Sequence, residues 1–266
     1  MTIRFILLSF IIVLVSLLCA CDVQEYPDLG EQQKPQILIY SGMTMLPPLV
    51  EISDLVEEQY GCEVKITFGS SGHMYTSVQE NKIGDIFFPG CVSYLNDLQH
   101  ADIVKETANV GFNQAAIFVA KGNPKNIPAG LTSLSDGSIS VVIGNPVTGS
   151  IGRETKAILD AHGIYDEVTA RADARAEYQT TGYKGLVQAI ANGDADVVIN
   201  WRAAGFNSAY DNTIEMIPLP DEIAAKKPLV MGLLRYSRHP ELARTFLNVA
   251  HSDQGQKIFS KYGFRE

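Results

Sequence analysis

The sequence has few cationic side chains, and this shortage excludes one large class of partners. Among 266 residues, 21 Lys and Arg stand against 30 Asp and Glu, which gives a net charge of −9. A protein that binds nucleic acid needs a basic face to neutralise phosphates, so nucleic acid is not an expected partner. The acidic balance does not exclude a small anion bound in a cleft.

The sequence also lacks the motifs of common metal and catalytic sites. Its five histidines have no metal-ligand spacing and it contains no C-x-x-C motif, so neither a metal nor a cofactor is predicted. It has no G-x-S-x-G nucleophile elbow. His73 follows Ser71 by two residues, but we expect it on a helix surface or at the rim of a cleft. The chain is therefore not predicted to be an enzyme.

The N-terminal apolar run, residues 5–18, is too short to span a bilayer comfortably, but it has the length of a secretory signal. It ends in Leu18-Cys19-Ala20-Cys21, which resembles the bacterial lipobox. Residues 1–20 are therefore interpreted as a signal peptide, and residues 21–35 as a polar tether lipidated at Cys21. An uncleaved anchor helix is the alternative. Either interpretation places the body outside the cytoplasmic membrane, in the periplasm or at the cell surface.

Two cysteines remain in the body of the chain, Cys62 and Cys91. An oxidising compartment would allow a disulfide between them. They are predicted at opposite ends of parallel strands, farther apart than the about 7 Å between Cα atoms that a disulfide tolerates. We therefore predict two buried free thiols.

Short apolar runs alternate with helical periodicity from Gln36 onward. Strands are predicted at 36–40, 62–68, 85–88, 139–143, 196–200 and 229–234, and the apolar run 115–120 precedes a turn-rich crossing at 121–124. Helices follow most of them, and two amphipathic helices, 240–250 and 253–261, end the chain. This alternation predicts an α/β fold with mainly parallel sheets flanked by helices.

Four polar turns precede predicted helices, at residues 41–44, 69–72, 144–150 and 180–183. Ligands of α/β sheets bind beyond the C-terminal ends of the strands. Helix N-termini there offer free N–H groups and a positive dipole end to an anion. An ordinary N-cap is the better interpretation of a single Gly-Ser-Ser-Gly turn, but several such turns together favour an anion site.

Seven pieces of the sequence, in this order, carry a resemblance: YSGM, EEQYGCEVKITFGSSG, GDIFFPG, VAKGNP, IGNPVTGSIGR, VQAIANGDADVVINW and DQGQKIFSKYGF. With them, residues 36–264 resemble the periplasmic molybdate-binding protein family, the solute receptors of oxyanion ABC importers. The resemblance implies a two-lobed type II periplasmic-binding-protein fold. It also implies a tetrahedral oxyanion held between the lobes by hydroxyl and backbone N–H groups.

The resemblance implies ligand-binding residues at matching positions of this chain. They are Ser41, Gly42, Met43, Thr44, Ser70, Ser71, Thr148, Gly149, Ser150 and Tyr183. The family's tyrosine donor falls on Asn200 or Trp201, where an amide or an indole N–H can still donate. The first loop also departs from the family, which often has Ala-Ser-Leu where this chain has Gly42-Met43-Thr44.

Two arginines allow more than one interpretation. Arg153 can bind the anion, or it can be a structural or lobe-closing residue. Arg202 can mark a ligand that is larger or more highly charged than molybdate. Ferric-ion receptors of similar fold use a tyrosine cluster, and this chain has no adjacent tyrosine pair.

These observations predict a lipid-anchored monomer that captures molybdate or tungstate and delivers it to an ABC permease. The lobes are predicted at residues 36–118 with 228–266, and at 119–227. Sulfate, phosphate, a phosphonate or a small carboxylate remain alternative ligands. A further alternative is an exported lipoprotein that binds a partner protein and no small molecule.

Overall fold

The computed structural model of the protein describes residues 34–172 and 182–264. The predicted signal peptide, and the tether with Cys21 up to residue 33, lie outside the described residues. From Lys34 onward the chain forms one compact unit. No helix within the described ranges has the length and apolar character needed to cross a membrane.

Strands and helices alternate through most of the described chain. The strands are β1 Gln36–Gly42, β2 Glu63–Gly69, β3 Ile86–Phe88, β4 Val104–Asn113, β5 Ala115–Ala120, β6 Val141–Val142, β7 Val197–Trp201, β8 Ile214–Pro218 and β9 Lys227–Leu234. The helices are α1 Leu46–Tyr60, α2 Ser71–Asn81, α3 Val92–His100, α4 Ser150–Ala161, α5 Tyr165–Ala172, α6 Gly182–Ala191, α7 Pro240–His251 and α8 Asp253–Lys261.

The strands form two sheets, each with helices packed against it. The five-stranded sheet has the order β2-β1-β3-β9-β4 and the four-stranded sheet has the order β6-β7-β5-β8. We call the first sheet with its helices lobe 1 and the second sheet with its helices lobe 2. This architecture confirms the predicted α/β class with two lobes.

One strand in each sheet, within the described part of the chain, runs opposite to the others. In lobe 1 it is β9, antiparallel to both β3 and β4. In lobe 2 it is β5, antiparallel to both β7 and β8. These are the strands by which the chain enters each sheet from the other lobe. The remaining strands share one direction, so the prediction of mainly parallel sheets is confirmed.

The strand β5 lies wholly in lobe 2. All its residues except the first pair with β8, and its first five pair with β7. The lobe boundary predicted after Phe118 therefore falls inside a strand. The chain crosses between the sheets at Gln114, directly after β4 and before β5. Its side-chain Nε2 donates to Asp221 Oδ1 and to the Ala224 carbonyl, each at 2.8 Å, and so ties the first crossing segment to the second.

The inner strand β1 shows why lobe 1 has helices on both faces. Successive strand residues point to opposite faces of a sheet. Ile37 and Ile39 belong to one buried cluster, together with residues of α1, α7 and α8. Tyr40 belongs to the other, together with residues of α2 and α3. A parallel strand buried on both faces has this near-continuous apolar sequence.

The second of these clusters continues from lobe 1 into lobe 2. Phe87 and Leu95 of lobe 1 share it with Phe118, Ile158 and Val198 of lobe 2. The lobes are therefore joined by apolar packing as well as by the two crossing segments.

Both cysteines of the body are free and buried, as predicted. Cys62 follows α1, and Cys91 directly precedes α3. Burial raises the pKa of both thiols. Both thiols are thus kept in the neutral form.

Candidate functional site

A small cleft lies between the lobes, where several strands end. β1 ends at Gly42, β2 at Gly69 and β7 at Trp201, and each of these residues lines the cleft. Among the described residues the lining is Gly42, Met43, Thr44, Gly69, Ser70, Ser71, Gly90, Gly149, Ser150, Ile151 and Trp201. The cleft therefore occupies the place where α/β sheets bind ligands.

Helix starts surround the cleft. Ser71 is the first residue of α2 and Ser150 the first of α4. Thr44 lies in a 3₁₀ turn that runs directly into α1, and Gly90 lies two residues before α3. The first N–H groups of a helix have no partner within the helix, and the dipole makes that end positive. The four helix starts therefore direct positive dipole ends toward the cleft, and no cationic side chain is among its described lining residues.

The cleft is small. The centre of a water-sized sphere can move within about 20 Å³ of it. A sphere of that volume has a radius of about 1.7 Å, and with the about 1.4 Å radius of water added, the cleft admits a rounded group of about 3 Å radius. A central atom with a single shell of oxygen atoms has about this radius. Its radius is the length of one bond from the central atom to oxygen plus the about 1.4 Å by which the oxygen extends, half the usual O–H···O distance. An organic ligand of several rings is much larger.

The adjacent serines Ser70 and Ser71 have different roles. Ser70 is the N-cap of α2, where its Oγ accepts from the His73 backbone N–H at 3.4 Å. The N-cap interpretation therefore holds for Ser70, although it also lines the cleft. Ser71 is buried, and its Oγ accepts from the Gly90 backbone N–H at 3.0 Å. A hydroxyl that accepts in this way keeps its own proton for donation.

Ser150 has an equivalent arrangement in lobe 2. Its Oγ accepts from the indole Nε1–H of Trp201 at 3.0 Å, and both side chains are buried. The Ser150 proton is therefore free to be donated elsewhere. Trp201 lines the cleft where the sequence predicts a substitute donor, but its N–H is directed to Ser150.

Four predicted site residues are not among the described lining. The Ser41 hydroxyl is buried and donates to the Gly42 carbonyl at 2.9 Å. The Thr148 carbonyl accepts from the Gly72 N–H across the lobes at 2.9 Å. The Asn200 side chain accepts from the Trp201 N–H at 2.9 Å. The Tyr183 side chain lies outside the described residues, although its helix α6 contacts the 3₁₀ turn Met43–Met45.

Three lining residues were missed by the sequence analysis, namely Gly69, Gly90 and Ile151. Gly90 has a recognisable signal, because it follows strand β3 in the same way that Gly42 and Gly69 end β1 and β2. A Cβ atom at Gly90 would collide with the Ser150 Oγ of the other lobe. Glycine at this position is therefore needed for the close approach of the two lobes.

His73 and the two ambiguous arginines lie outside the described lining. His73 is exposed on α2, as predicted. Arg153 contacts α3 of lobe 1, with its Nη1 3.0 Å from Ser93 Oγ, so it bridges the lobes. Arg202 donates to the Gly263 carbonyl at 2.7 Å and lies over the Phe206 ring. It therefore gives no support for a larger or more highly charged ligand.

The electrostatics of the cleft come from neutral groups. Its described lining contains glycines, hydroxyls, an indole and apolar side chains, and no Asp, Glu, His, Lys or Arg. Such a lining offers hydrogen-bond donors and positive dipole ends. It can bind an anion by charge-assisted hydrogen bonds, and it has no carboxylate that would repel one.

Comparisons with known proteins agree with this fold. Over 230 residues the chain is 20% identical to the molybdate-binding protein ModA of Mycobacterium tuberculosis, covering 86% of this chain and 84% of that protein. The sulfate-binding protein SubI of Mycobacterium tuberculosis superposes with a TM-score of 0.73 at 17% identity, covering 87% of this chain and 86% of that one.

A periplasmic thiamin-binding protein superposes with a TM-score of 0.74 at 15% identity, covering 89% of this chain and 85% of that one. At these identities the structural matches establish the type II periplasmic-binding-protein fold and leave the ligand open. Residues 37–265 match the family described as bacterial extracellular solute-binding protein. That match covers nearly the whole described chain, and the chain therefore belongs to this family of solute-binding proteins.

Proposed function

We propose that this protein captures a tetrahedral oxyanion, molybdate or tungstate in first place, and delivers it to the permease of an ABC importer. The observation that carries the proposal is the interlobe cleft with its neutral lining of N–H and O–H donors. Relatives named as molybdate-binding proteins support the choice of oxyanion.

The donors of the cleft suit a fully ionised anion. Ser71 and Ser150 each accept a hydrogen bond from a fixed N–H group, so their protons are available to the ligand. The backbone N–H of Ser71 at the start of α2 and the backbone N–H groups at the start of α4 add further donors. Each hydrogen bond to a charged ligand contributes about 1.5–3 kcal/mol, so about six such bonds contribute about 9–18 kcal/mol, which offsets the cost of about 4–15 kcal/mol for association and ordering.

The proposed ligand contacts fall into three groups. The turn of Gly42, Met43 and Thr44 and the start of α2 with Ser70 and Ser71 contribute from lobe 1. Gly149 and Ser150 contribute from lobe 2. Trp201 acts on the ligand through Ser150, and the N–H of Tyr183 stays a predicted fourth contribution.

The size and chemistry of the cleft disfavour other ligand classes. A space of about 3 Å radius is too small for an organic cation built from several rings. A ferric ion needs anionic oxygen or nitrogen ligands, and the described lining offers none. Sulfate and phosphate have the same shape as molybdate, so they are the first competitors, followed by phosphonates and small carboxylates.

The lobes of the binding protein are proposed from the two sheets. Lobe 1 comprises residues 34–114 and 227–264, and lobe 2 comprises residues 115–226. Both lobes line the cleft, so ligand binding is coupled to their relative position. The permease would then distinguish the closed, liganded protein from the open one.

Attachment to the membrane is proposed through a lipid on Cys21, after removal of residues 1–20. We expect metabolic labelling with a radioactive fatty acid to mark the full-length protein and not its Cys21→Ala variant. Labelling of both proteins, or of neither, would contradict the lipid anchor and favour the uncleaved helix.

The ligand can be identified through the tryptophan in the cleft. Trp201 is the only tryptophan of the chain, so its fluorescence reports on this site alone. We expect molybdate and tungstate to change the emission of the purified full-length protein at micromolar concentration and to raise its melting temperature. A response to another anion alone would keep the class of protein and change the ligand. A lack of response to every anion would favour a protein partner.

A further inference from the structure

The helices α3 and α4 both begin beside the ligand cleft, and their side chains contact each other beyond it. Arg153 of α4 donates from Nη1 to Ser93 Oγ of α3 at 3.0 Å and lies 3.7 Å from Asp97 Oδ2. Its guanidinium carbon lies 3.5 Å from the centroid of the Tyr94 ring. We call Ser93, Tyr94, Asp97 and Arg153 the α3–α4 latch.

Residues of lobe 2 contact both the ring face and the hydroxyl group of Tyr94. Arg153 covers the face of the ring, and the hydroxyl donates to the Val147 carbonyl at 3.0 Å. The side chain is 1% exposed, and burial raises its pKa to about 12. The hydroxyl therefore remains a donor at physiological pH. Both of these partners belong to lobe 2, whereas Tyr94 belongs to lobe 1.

Every contact that Arg153 and Val147 make with this part of α3 crosses between the lobes. A cation over an aromatic ring and a hydrogen bond to a partly buried group each stabilise the arrangement in which they form. These contacts form only when the lobes are as close as they are here, so they favour the closed arrangement. An interaction that favours the binding-competent arrangement raises ligand affinity without touching the ligand.

The latch residues lie close in sequence to residues that line the cleft. Ser150, which lines the cleft, is the first residue of α4, and Arg153 follows one turn later. Gly90, which also lines the cleft, lies two residues before α3, and Ser93 and Tyr94 are in its first turn. A ligand that draws the two helix starts together therefore also brings the latch residues into contact.

We propose that the α3–α4 latch sets the lifetime of the closed complex, with Arg153 as a positioning residue for ligand binding. The inference rests on the proposed function in one respect, the binding of an oxyanion between the lobes. It goes beyond that function because it assigns control of ligand release to residues outside the described lining of the cleft.

The test compares two cations three residues apart on α4. Arg153→Gln removes the latch cation. Lys156→Gln is the matched control, because Lys156 pairs with Asp160 and lies over Tyr165, both within lobe 2. Each variant loses one positive charge near the N-terminus of α4. Any weakening of long-range attraction between the protein and the anion is therefore the same in both variants. Tyr94→Phe removes the bond to Val147 and keeps the ring.

Dissociation of molybdate from the full-length protein is followed by stopped-flow fluorescence of Trp201. We expect Arg153→Gln to raise the dissociation rate about 3- to 30-fold, the range of a partly buried cation–π contact. Tyr94→Phe should raise it about 2- to 10-fold, and Lys156→Gln less than about 2-fold. Equal rates for Arg153→Gln and Lys156→Gln would overturn the latch.

Hydrogen exchange of the Gly72 amide provides a readout that needs no ligand, because this N–H donates across the lobes to the Thr148 carbonyl. We expect it to exchange faster in Arg153→Gln than in Lys156→Gln, both without anion and with saturating molybdate. If no anion affects Trp201 fluorescence, the proposed function fails, and exchange at Gly72 still decides the latch. Identical exchange in the two variants would then overturn it.

Discussion

Trp201 and Ser150 are joined by a buried hydrogen bond of 3.0 Å from the indole Nε1 to the hydroxyl oxygen. The bond connects the end of β7 to the start of α4, so both groups that it joins belong to lobe 2. It determines the direction of the Ser150 proton, because an oxygen that accepts the indole N–H has to donate its own proton elsewhere. The tryptophan therefore contributes to the site by orienting a serine.

Trp201→Phe tests this orientation. We expect the variant to weaken oxyanion binding by about 0.5–1.5 kcal/mol, because a smaller aromatic ring replaces the indole and one neutral hydrogen bond is lost. Isothermal titration calorimetry measures the change without relying on the tryptophan. In a Ser150→Ala background the same substitution should have almost no further effect. An undiminished effect in that background would show that Trp201 acts independently of Ser150.

Ser71→Ala removes a buried donor from the other lobe and leaves the Gly90 N–H without its acceptor. We expect a loss of about 1–3 kcal/mol in oxyanion binding, measured by calorimetry. Ser53→Ala is the matched control, since Ser53 is also buried and its hydroxyl donates to the Leu49 carbonyl within α1. If both variants bind with the affinity of the original protein, Ser71 does not contact the ligand.

Gly72→Ala is expected to keep the lobes apart. A Cβ atom at Gly72 would lie 2.7 Å from the Thr148 carbonyl oxygen, which is backbone and cannot move aside cheaply. We expect at least about tenfold weaker ligand binding with little change in the melting temperature of the ligand-free protein. Gly137→Ala provides the control, because a Cβ atom there would have no described atom within 4 Å beyond its chain neighbours. Equal affinities of the two variants would contradict the close approach at Gly72.

Glu154 should make the protein less stable as the pH rises. Burial raises the pKa of its carboxyl group, and Lys227, 3.4 Å away, only partly opposes this effect. The folded protein therefore holds this proton more tightly than the unfolded chain does. The resulting stability is complete below the unfolded pKa of about 4.3 and is lost as the pH rises through the folded pKa.

Thermal unfolding of Glu154→Gln between about pH 3 and pH 8 checks this expectation. The variant should gain melting temperature relative to the original protein as the pH increases. Glu106→Gln should change in the opposite direction, since the Arg244 guanidinium lowers the pKa of the Glu106 carboxyl. Above about pH 4.3 the melting temperature of Glu106→Gln should be lower than that of the original protein, and this difference should disappear at lower pH. Parallel curves for the two variants would contradict the assignment for Glu154.

Most of the described strands are predicted from the sequence, including the edge strands β2 and β6, but two other edge strands are not. β1 and β7 are apolar along their length and appear where the sequence predicts them. β4 and β8 were missed, and both lie at the edge of a sheet. β4 exposes several polar residues between Lys105 and Asn109, so it lacks the apolar run that reveals a buried strand.

The residues that line the cleft were predicted only in part, for a similar reason. Local turns of Ser, Thr and Gly before helices are visible in the sequence, and Thr44, Ser71 and Ser150 indeed line the cleft. The turns do not show which group within each of them faces inward. Ser41 and Thr148 belong to predicted turns, but the Ser41 hydroxyl bonds to its own neighbour and the Thr148 carbonyl bonds across the lobes.

The sequence by itself determined the α/β class, the buried strands and the polar turns, because each follows from local composition and periodicity, and the free thiols followed from where the predicted strands place the two cysteines. Only the tertiary structure decided that Gly90 must lack a side chain, that Trp201 orients Ser150 and that Arg153 joins the lobes. These relationships link residues about 50 to 60 positions apart in the chain. Their distances depend on how two separately wound sheets pack together, and no local pattern records that packing.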